Sequence, residues 1–168
     1  MEIRHLTTAD AEAWWQLRLE MLRNDPASFA DSAEEHQAIT IETAREHLSA
    51  GDPASNFVLG SFEGGKLMGT AGLFRRKNNK EHHKGHVWGV YVSPDQRGKG
   101  VGKALMQEII RRAREIQGIE QITLVASAGL PAQKLYEAVG FKSYGIEPHS
   151  LKIGDRYVND VLMVLWLQ

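Results

Sequence analysis

VSPDQRGKGVGKALMQEII, residues 92–110, places glycines at 98, 100 and 102 among basic residues and then turns into an apolar pattern of helical period. Val101, Leu105, Ile109, Ala113 and Ile116 recur every three or four residues, so a helix is predicted from about Gly98 to Gln117, with one face needing cover from a sheet. A helix start has unpaired N–H groups and a partial positive charge. Glycine lets the main chain turn into left-handed conformations and lets an anion approach without a Cβ in the way. Arg97, Lys99 and Lys103 add charge at the rim. The expected ligand is a phosphate or pyrophosphate.

Other glycine-rich phosphate motifs fail by count. The dinucleotide pattern G-x-G-x-x-G meets Lys103 when started at Gly98 and Leu105 when started at Gly100. A Walker loop ending at Gly102-Lys103 would begin on Arg97 and finish on Ala104. GSFEGGKL, starting at Gly60, has Leu67 where the magnesium-binding hydroxyl belongs, and it reads as a hairpin. A nucleotide-dependent phosphotransferase is therefore not expected.

Around this stretch the chain reads as strand, helices, three strands, helix, strand, helix, two strands. Glu2–Leu6 is strand-like. Thr7 or Thr8 caps a helix to about Arg23, with Asp10 in its first turn, and Pro26 breaks it. A helix over Ile39–Ala50 is capped by Thr40 and stopped by Gly51, with a shorter helix expected between Ala27 and Gln37. NFVLGSF and KLMGTAGLF flank Glu63-Gly64-Gly65 as a hairpin, and HVWGVYV, 86–92, is a third strand after the polar loop RRKNNKEHHK. Ile122–Ala126 is a buried strand, Pro131 opens a short helix that Gly140 ends, and FKSYG and RYVNDVLMVLWL close the chain as strands. This is a mixed α/β sandwich, read as one domain over residues 1–168, with a right-handed parallel crossover around the glycines.

The 168 residues carry a formal net charge of −1 and no cysteine. Near-neutral charge argues against a nucleic-acid partner. Lack of cysteine removes disulfides, thiolate metal sites and cysteine nucleophiles. MEIRHLTTAD has no apolar signal core and no run is long enough for a membrane span, so a cytoplasmic protein with no membrane partner is expected. His82, His83 and His86 lie close together, but no Asp or Cys stands at ligand spacing and no metal is expected.

VYVSPDQRGKGVGKAL resembles the acyl-CoA signature of the GNAT superfamily of N-acetyltransferases, Gln/Arg-x-x-Gly-x-Gly/Ala, with Arg97, Gly100 and Gly102 at the defining positions. AQKLYEAVGF, 132–141, is similar to that family's second motif, Ala-x-x-Leu-Tyr-x-x-x-Gly-Phe. The resemblance implies a mixed, mostly antiparallel sheet with a parallel central strand pair splayed in a V and helices on both faces. It implies acetyl-CoA as co-substrate, its pyrophosphate on Arg97, Gly98, Lys99, Gly100, Val101, Gly102 and Lys103. The pantetheine arm would pair with the main chain of the Val90-Tyr91-Val92 strand. Tyr136 would be the general acid. An Asn often precedes the second motif's Ala by three residues; Gly129 stands there, which removes one side-chain contact. Many relatives carry a Glu base on the strand before the signature. HVWGVYV has none, and His86 is the candidate base, with Glu34 and Glu35 as more distant alternatives. One of the adjacent Trp14 and Trp15 is expected in the core, the other bordering the acceptor site.

The expected activity is acetyl transfer to a primary amine by direct attack in a ternary complex. The alternative is a non-catalytic acyl-CoA-binding sensor, which would have no use for the Tyr136 hydroxyl. Acetyl-CoA and an amine-bearing acceptor are the expected partners, with a homodimer as the assembly to test.

Overall fold

The structure, a computed structural model, describes residues 1–50, 52 and 54–167. Its elements are β1 Glu2–His5, α1 Ala11–Asn24, α2 Ala33–Gln37, α3 Ile41–Ser49, β2 Asn56–Glu63, β3 Lys66–Arg75, β4 Lys84–Val92, α4 Val101–Glu115, β5 Gln121–Ser127, α5 Pro131–Ala138, β6 Lys142–Ile153 and β7 Arg156–Trp166. The expected order of elements is present. Gly51, the expected stop of α3, lies outside the described residues.

Local chemistry sets most boundaries. Thr7 and Asp10 form a capping box, with the Thr7 N–H donating to Asp10 Oδ2 at 2.8 Å, and a 3₁₀ turn leads into α1. Arg4 holds the same carboxylate through both its oxygens, which pulls the Asp10 carboxyl down to about 2. Ser32 and Glu35 cap α2 reciprocally, and Thr40 Oγ1 accepts from the Thr43 N–H at the start of α3. The β2–β3 turn uses Gly64 and Gly65 at φ 57° and 80°. The helix over the glycines is shorter than its apolar pattern suggested. Gly98 and Gly100 sit at φ 76° and 84°, so the right-handed helix begins only at Val101.

Seven strands form one sheet in the order β1-β2-β3-β4-β5-β7-β6. Every neighbouring pair is antiparallel except β4–β5. On one face, α4 lays Leu105, Met106 and Ile109 against Leu59, Leu73, Val87, Ile122 and Met163, and α5 adds Tyr136. All three α4 side chains are fully buried, each contributing about 1.5–3 kcal/mol by leaving water. On the opposite face, α1 and α3 pack Trp14, Leu17, Met21 and Ala44 over Val58, Phe62 and Tyr91. Trp15 is half-buried beside them, donating to the Ile39 carbonyl at 2.8 Å and packing on the His36 ring.

Candidate active site

The parallel pair is short. Lys84, Gly85 and His86 pair with Gln121, Ile122 and Thr123, and from Val87 onward β4 has no partner on β5. The two strands diverge there into a V. The β4 edge facing β5 is thus left with unpaired main-chain groups, the condition for accepting an added strand. On its other edge β4 carries a bulge: Thr70 pairs with Tyr91 and Gly72 with Trp88, so Gly89 and Val90 stand opposite the single residue Ala71. Gly89 takes φ 60°, which only glycine adopts freely. A bulge leaves one residue of β4 without its rungs to β3 and bends the strand at the point where β4 leaves β5.

β4 leads directly from this open edge to the glycine turn. Ser93 and Gln96 are buried and fix a 3₁₀ turn over Pro94–Gln96, after which Gly98 and Gly100 present left-handed backbone. A Cβ at either glycine would meet nothing within 4 Å. That open space, next to the unpaired N–H groups of the first turn of α4, suits a phosphate group. Gly102 is different. It lies within the helix, and a Cβ there would stand 3.1 Å from Leu135 Cδ2, so its small size serves the packing of α4 on α5. Leu135 immediately precedes Tyr136, so this contact ties the start of α4 to the helix that carries the tyrosine.

Arg97 does not face open solvent alone. Its Nε donates to the Val92 carbonyl at 2.9 Å, its guanidinium pairs with Asp25, and it lies 5.3 Å from the Tyr91 ring centre. Lys99 Nζ donates to Gln96 Oε1 at 3.3 Å, and the Lys103 side chain is exposed on the first turn of α4. Tyr91 contributes its main chain to β4. Its buried hydroxyl donates to Glu20 and accepts from Asn24, each at 3.0 Å, and burial pushes its pKa up to about 12.

Asp25 begins a strap. The short turn Pro26–Ser28 crosses from the β4 side, where Asp25 meets Arg97, to the β5 side, where Ser127 Oγ donates to the Ala27 carbonyl at 2.5 Å. The turn packs on β5 and β6. The V is therefore bridged on the face opposite α4. Nearby, the Arg18 guanidinium sits 5.8 Å from the Trp14 ring and 5.9 Å from the Trp88 ring, and pairs with Asp31.

Tyr136 lies in the core beneath the sheet, edge-on to Phe141 at 6.2 Å. Burial raises its pKa, and among the described residues no group accepts a hydrogen bond from its hydroxyl. The phenol therefore stays protonated with its proton uncommitted.

His86 sits at the apex of the V. It is half-buried, with Nδ1 3.0 Å from Thr123 Oγ1, and the Thr123 hydroxyl lies 3.3 Å from the Gly85 carbonyl. That chain of bonds assigns the proton to Nδ1 and leaves a lone pair on Nε2. Burial, with a smaller contribution from Arg76, pushes the imidazole pKa down to about 4. Burial at the apex of the V thus makes His86 a weaker proton acceptor than an ordinary imidazole. Glu35 is committed to the Ser32 cap and Glu34 is exposed on the same short helix. Among the described residues no three His, Asp or Glu side chains converge as a metal-ligand group. Two surface grooves, of about 460 and 490 Å³, lie along α1 and beside His5 and Arg112, and neither includes a residue of the V.

These features define an α/β protein whose central sheet opens at β4 and β5, with the open strand edge leading into a left-handed glycine turn at a helix start. The chain belongs to the acetyltransferase (GNAT) family, whose model matches residues 12–141. It is 34% identical over 137 residues to a mycothiol acetyltransferase of Propionibacterium freudenreichii, an alignment covering 74% of this chain and 43% of the relative. The chain thus spans less than half the length of that relative. Its fold matches a ribosomal-protein-alanine N-acetyltransferase of Brucella melitensis, with TM-score 0.86, 24% identity, and coverage of 99% of this chain and 100% of the other. It also matches a GNAT superfamily phosphinothricin acetyltransferase of Sinorhizobium meliloti solved in complex with acetyl-CoA, with TM-score 0.81, 21% identity, and coverage of 99% and 88%. The seven-stranded mixed sheet, its single parallel pair and the helices on both faces agree with the fold expected from the two motifs.

Asp25, Ser127 and Asp160 went unnoticed in the sequence. Only Asp160 left a signal there: it is an acid set at the start of the apolar run VLMVLWL.

Proposed function

We propose that this chain is an acetyl-CoA-dependent N-acetyltransferase acting on a primary amine by direct attack. The observation that carries the reading is the open edge of β4 beyond His86, running without interruption into the left-handed turn at Gly98 and Gly100. The residues fit the co-substrate. The N–H groups of the α4 start, with Lys99 and Lys103 beside them, would receive the pyrophosphate. The main chain of Val90, Tyr91 and Val92 would pair with the amide-bearing arm. Acetyl-CoA supplies the activated acyl group when bound.

The remaining chemistry belongs to the chain. A main-chain N–H of the bulged segment Gly89–Val90 would donate to an oxygen that gains negative charge as the amine attacks, the kind of preorganised donor that stabilises acyl transfer. Tyr136 keeps its proton at neutral pH and would deliver it to the departing sulfur, a step worth about 10²–10⁴ in rate. The attacking amine must lose a proton. An imidazole titrating near 4 is a weak acceptor, so we assign that proton to water and give His86 a positioning role through Thr123. The uncommitted hydroxyl of Tyr136 favours an enzyme over a binding module.

The reading is tested by incubating the protein with acetyl-CoA and a panel of primary amines and following thiol release. Turnover with at least one amine and loss of turnover in Tyr136→Phe are expected. Tight acetyl-CoA binding without turnover across the panel would favour the sensor.

A further inference from the structure

The far end of the open β4 edge is already taken by the chain itself. The Ser93 N–H donates to the Met68 carbonyl on β3 at 2.9 Å. Within one trans peptide the C=O and N–H point opposite ways, so the Val92 carbonyl points away from β3, onto the open edge. The Tyr91 carbonyl lies on the β3 side, 3.0 Å from where a Cβ of Gly69 would stand, so the Val92 N–H also faces the open edge. Arg97 reaches back over the turn, and its Nε donates to the Val92 carbonyl at 2.9 Å. The acceptor at Val92 is thus taken while its N–H stays on the open edge. Alternation along the strand makes the Val90 carbonyl the next acceptor there, toward the bulge.

The same guanidinium fastens the strap. Its Nη2 donates to Asp25 Oδ2 at 2.5 Å, and the cation lies 5.3 Å from the Tyr91 ring centre. Tyr91 is held in turn by Glu20 and Asn24 at the end of α1. At the other end of the strap, Ser127 Oγ donates to the Ala27 carbonyl and stands 3.2 Å from Asp160 Oδ1 on β7. Each arm of the V therefore carries one pin of the strap. The Asp25 carboxylate also offsets the charge of Arg97 beside the glycine turn, which leaves the guanidinium poorly suited to hold an anion. The two side chains are 45% and 31% exposed, and an exposed pair adds little to stability. What this pair fixes is position.

We infer that Arg97 is a positioning residue that caps the open edge at Val92 and, through Asp25, clamps the strap to the β4 arm. An amide N–H of the bound arm is thereby sent to the Val90 carbonyl. With the Val92 carbonyl free, the same N–H would meet that acceptor first on leaving the glycine turn. The two registers differ by two residues, about 6–7 Å along the strand. Reacting atoms must come within about 3–3.5 Å of each other, so a slip of this size carries the acyl carbon out of reach of the bulged segment. The phosphate end of the ligand is left to the glycine turn, Lys99 and Lys103. The inference rests on the acetyl-CoA reading for the identity of the ligand.

Three variants test it. A glutamine Nε2 stands where the arginine Nε stands, so Arg97→Gln keeps a donor for Val92 and loses the Asp25 pair. Arg97→Met loses both, and Asp25→Ala breaks the pair from the other side. Calorimetric Kd for coenzyme A should stay within about threefold of wild type in each, because no phosphate contact is removed. Carbonyl-carbon NMR shifts report which acceptor the arm uses. On adding coenzyme A the Val90 signal should move in wild type and in Arg97→Gln, and the Val92 signal in Arg97→Met. With an amine that wild type acetylates, kcat should fall about tenfold or more in Arg97→Met, and Arg97→Gln should recover most of that loss. Asp25→Ala should add nothing on an Arg97→Gln background, where the pair is already broken. A Kd weakened tenfold or more in Arg97→Gln, or a Val92 signal that already moves in wild type, overturns the inference. The Val90 shift without thiol release from any amine would support the inference and refute the catalytic reading. A wild-type protein that does not bind coenzyme A would refute both.

Discussion

Replacing Gly100 by alanine separates the cost of the turn from the cost to the ligand. Gly100 lies at φ 84°, where an L-residue with a Cβ is strained by about 1–2 kcal/mol. Part of that is offset, because alanine restricts the unfolded chain by about 0.4–1 kcal/mol. The net loss of about 1 kcal/mol should lower Tm by roughly 2–4 °C in a chain of this size. Since the new methyl meets no protein atom within 4 Å, nothing in the fold opposes it sterically. The native state stays dominant, so the strain alone leaves ligand affinity untouched. If a phosphate oxygen approaches the main chain here, the methyl takes its place, and calorimetric Kd for acetyl-CoA should rise about tenfold or more, the equivalent of about 1.4 kcal/mol. Gly102→Ala is the internal control. Its Cβ points at Leu135 from 3.1 Å, its N–H is retained, and the helix gains from alanine, so stability changes little and Kd should stay within about threefold. A folded Gly100→Ala protein with wild-type affinity, or a Gly102→Ala protein that loses affinity to the same degree, would refute the assignment of the open space at Gly100 to the anion.

Tyr136→Phe removes a hydroxyl without a protein partner, so thermal stability should be preserved while kcat falls about 10²–10⁴ and Kd for acetyl-CoA holds; unchanged kcat in single-turnover assays would remove the acid role. His86 titrates near 4 in the folded protein against 6.5 in an unfolded chain, so the unfolded chain takes up the proton first. Stability is complete above pH 6.5 and declines as pH falls toward 4, by about 2 kcal/mol between pH 7.5 and pH 5 from this residue. His86→Gln should remove that share of the slope in urea unfolding, leaving the smaller part from His5 and His36, which burial also holds low. An unaltered slope would contradict the burial of the imidazole.

What could be read from the sequence was local or periodic. The capping chemistry of Thr7, Asp10 and Thr40, the Gly64-Gly65 turn and the apolar stripe of α4 each declare themselves within a few residues. The glycine turn to which the anion site is assigned is legible for the same reason, because glycines at a helix start are a local pattern. The α4 start was misplaced because the apolar repeat does not register that Gly98 and Gly100 leave the helical region. β6 extends over twelve residues instead of the five that FKSYG suggested. It is an edge strand exposed along both faces, so it carries no hydrophobic alternation to mark its length. Insertion of β7 between β5 and β6, the point where β4 and β5 part, and the strap joining Asp25 to Arg97 across seventy-two residues depend on contacts between distant segments. The character of His86 also lies in its surroundings: the residue type carries the ordinary imidazole pKa, and burial at the apex of the V, which no local pattern records, lowers it.

Hydrogen exchange of backbone amides, measured with and without saturating acetyl-CoA, tests most directly whether the open edge of β4 and the glycine turn form one ligand site. Slowed exchange is expected in two neighbouring segments, residues 87–92 on β4 and residues 98–103 at the start of α4, with little change in α1, α3 or the β2–β3 hairpin. Unaltered exchange in both segments, with protection confined to the grooves along α1 or beside Arg112, would contradict it.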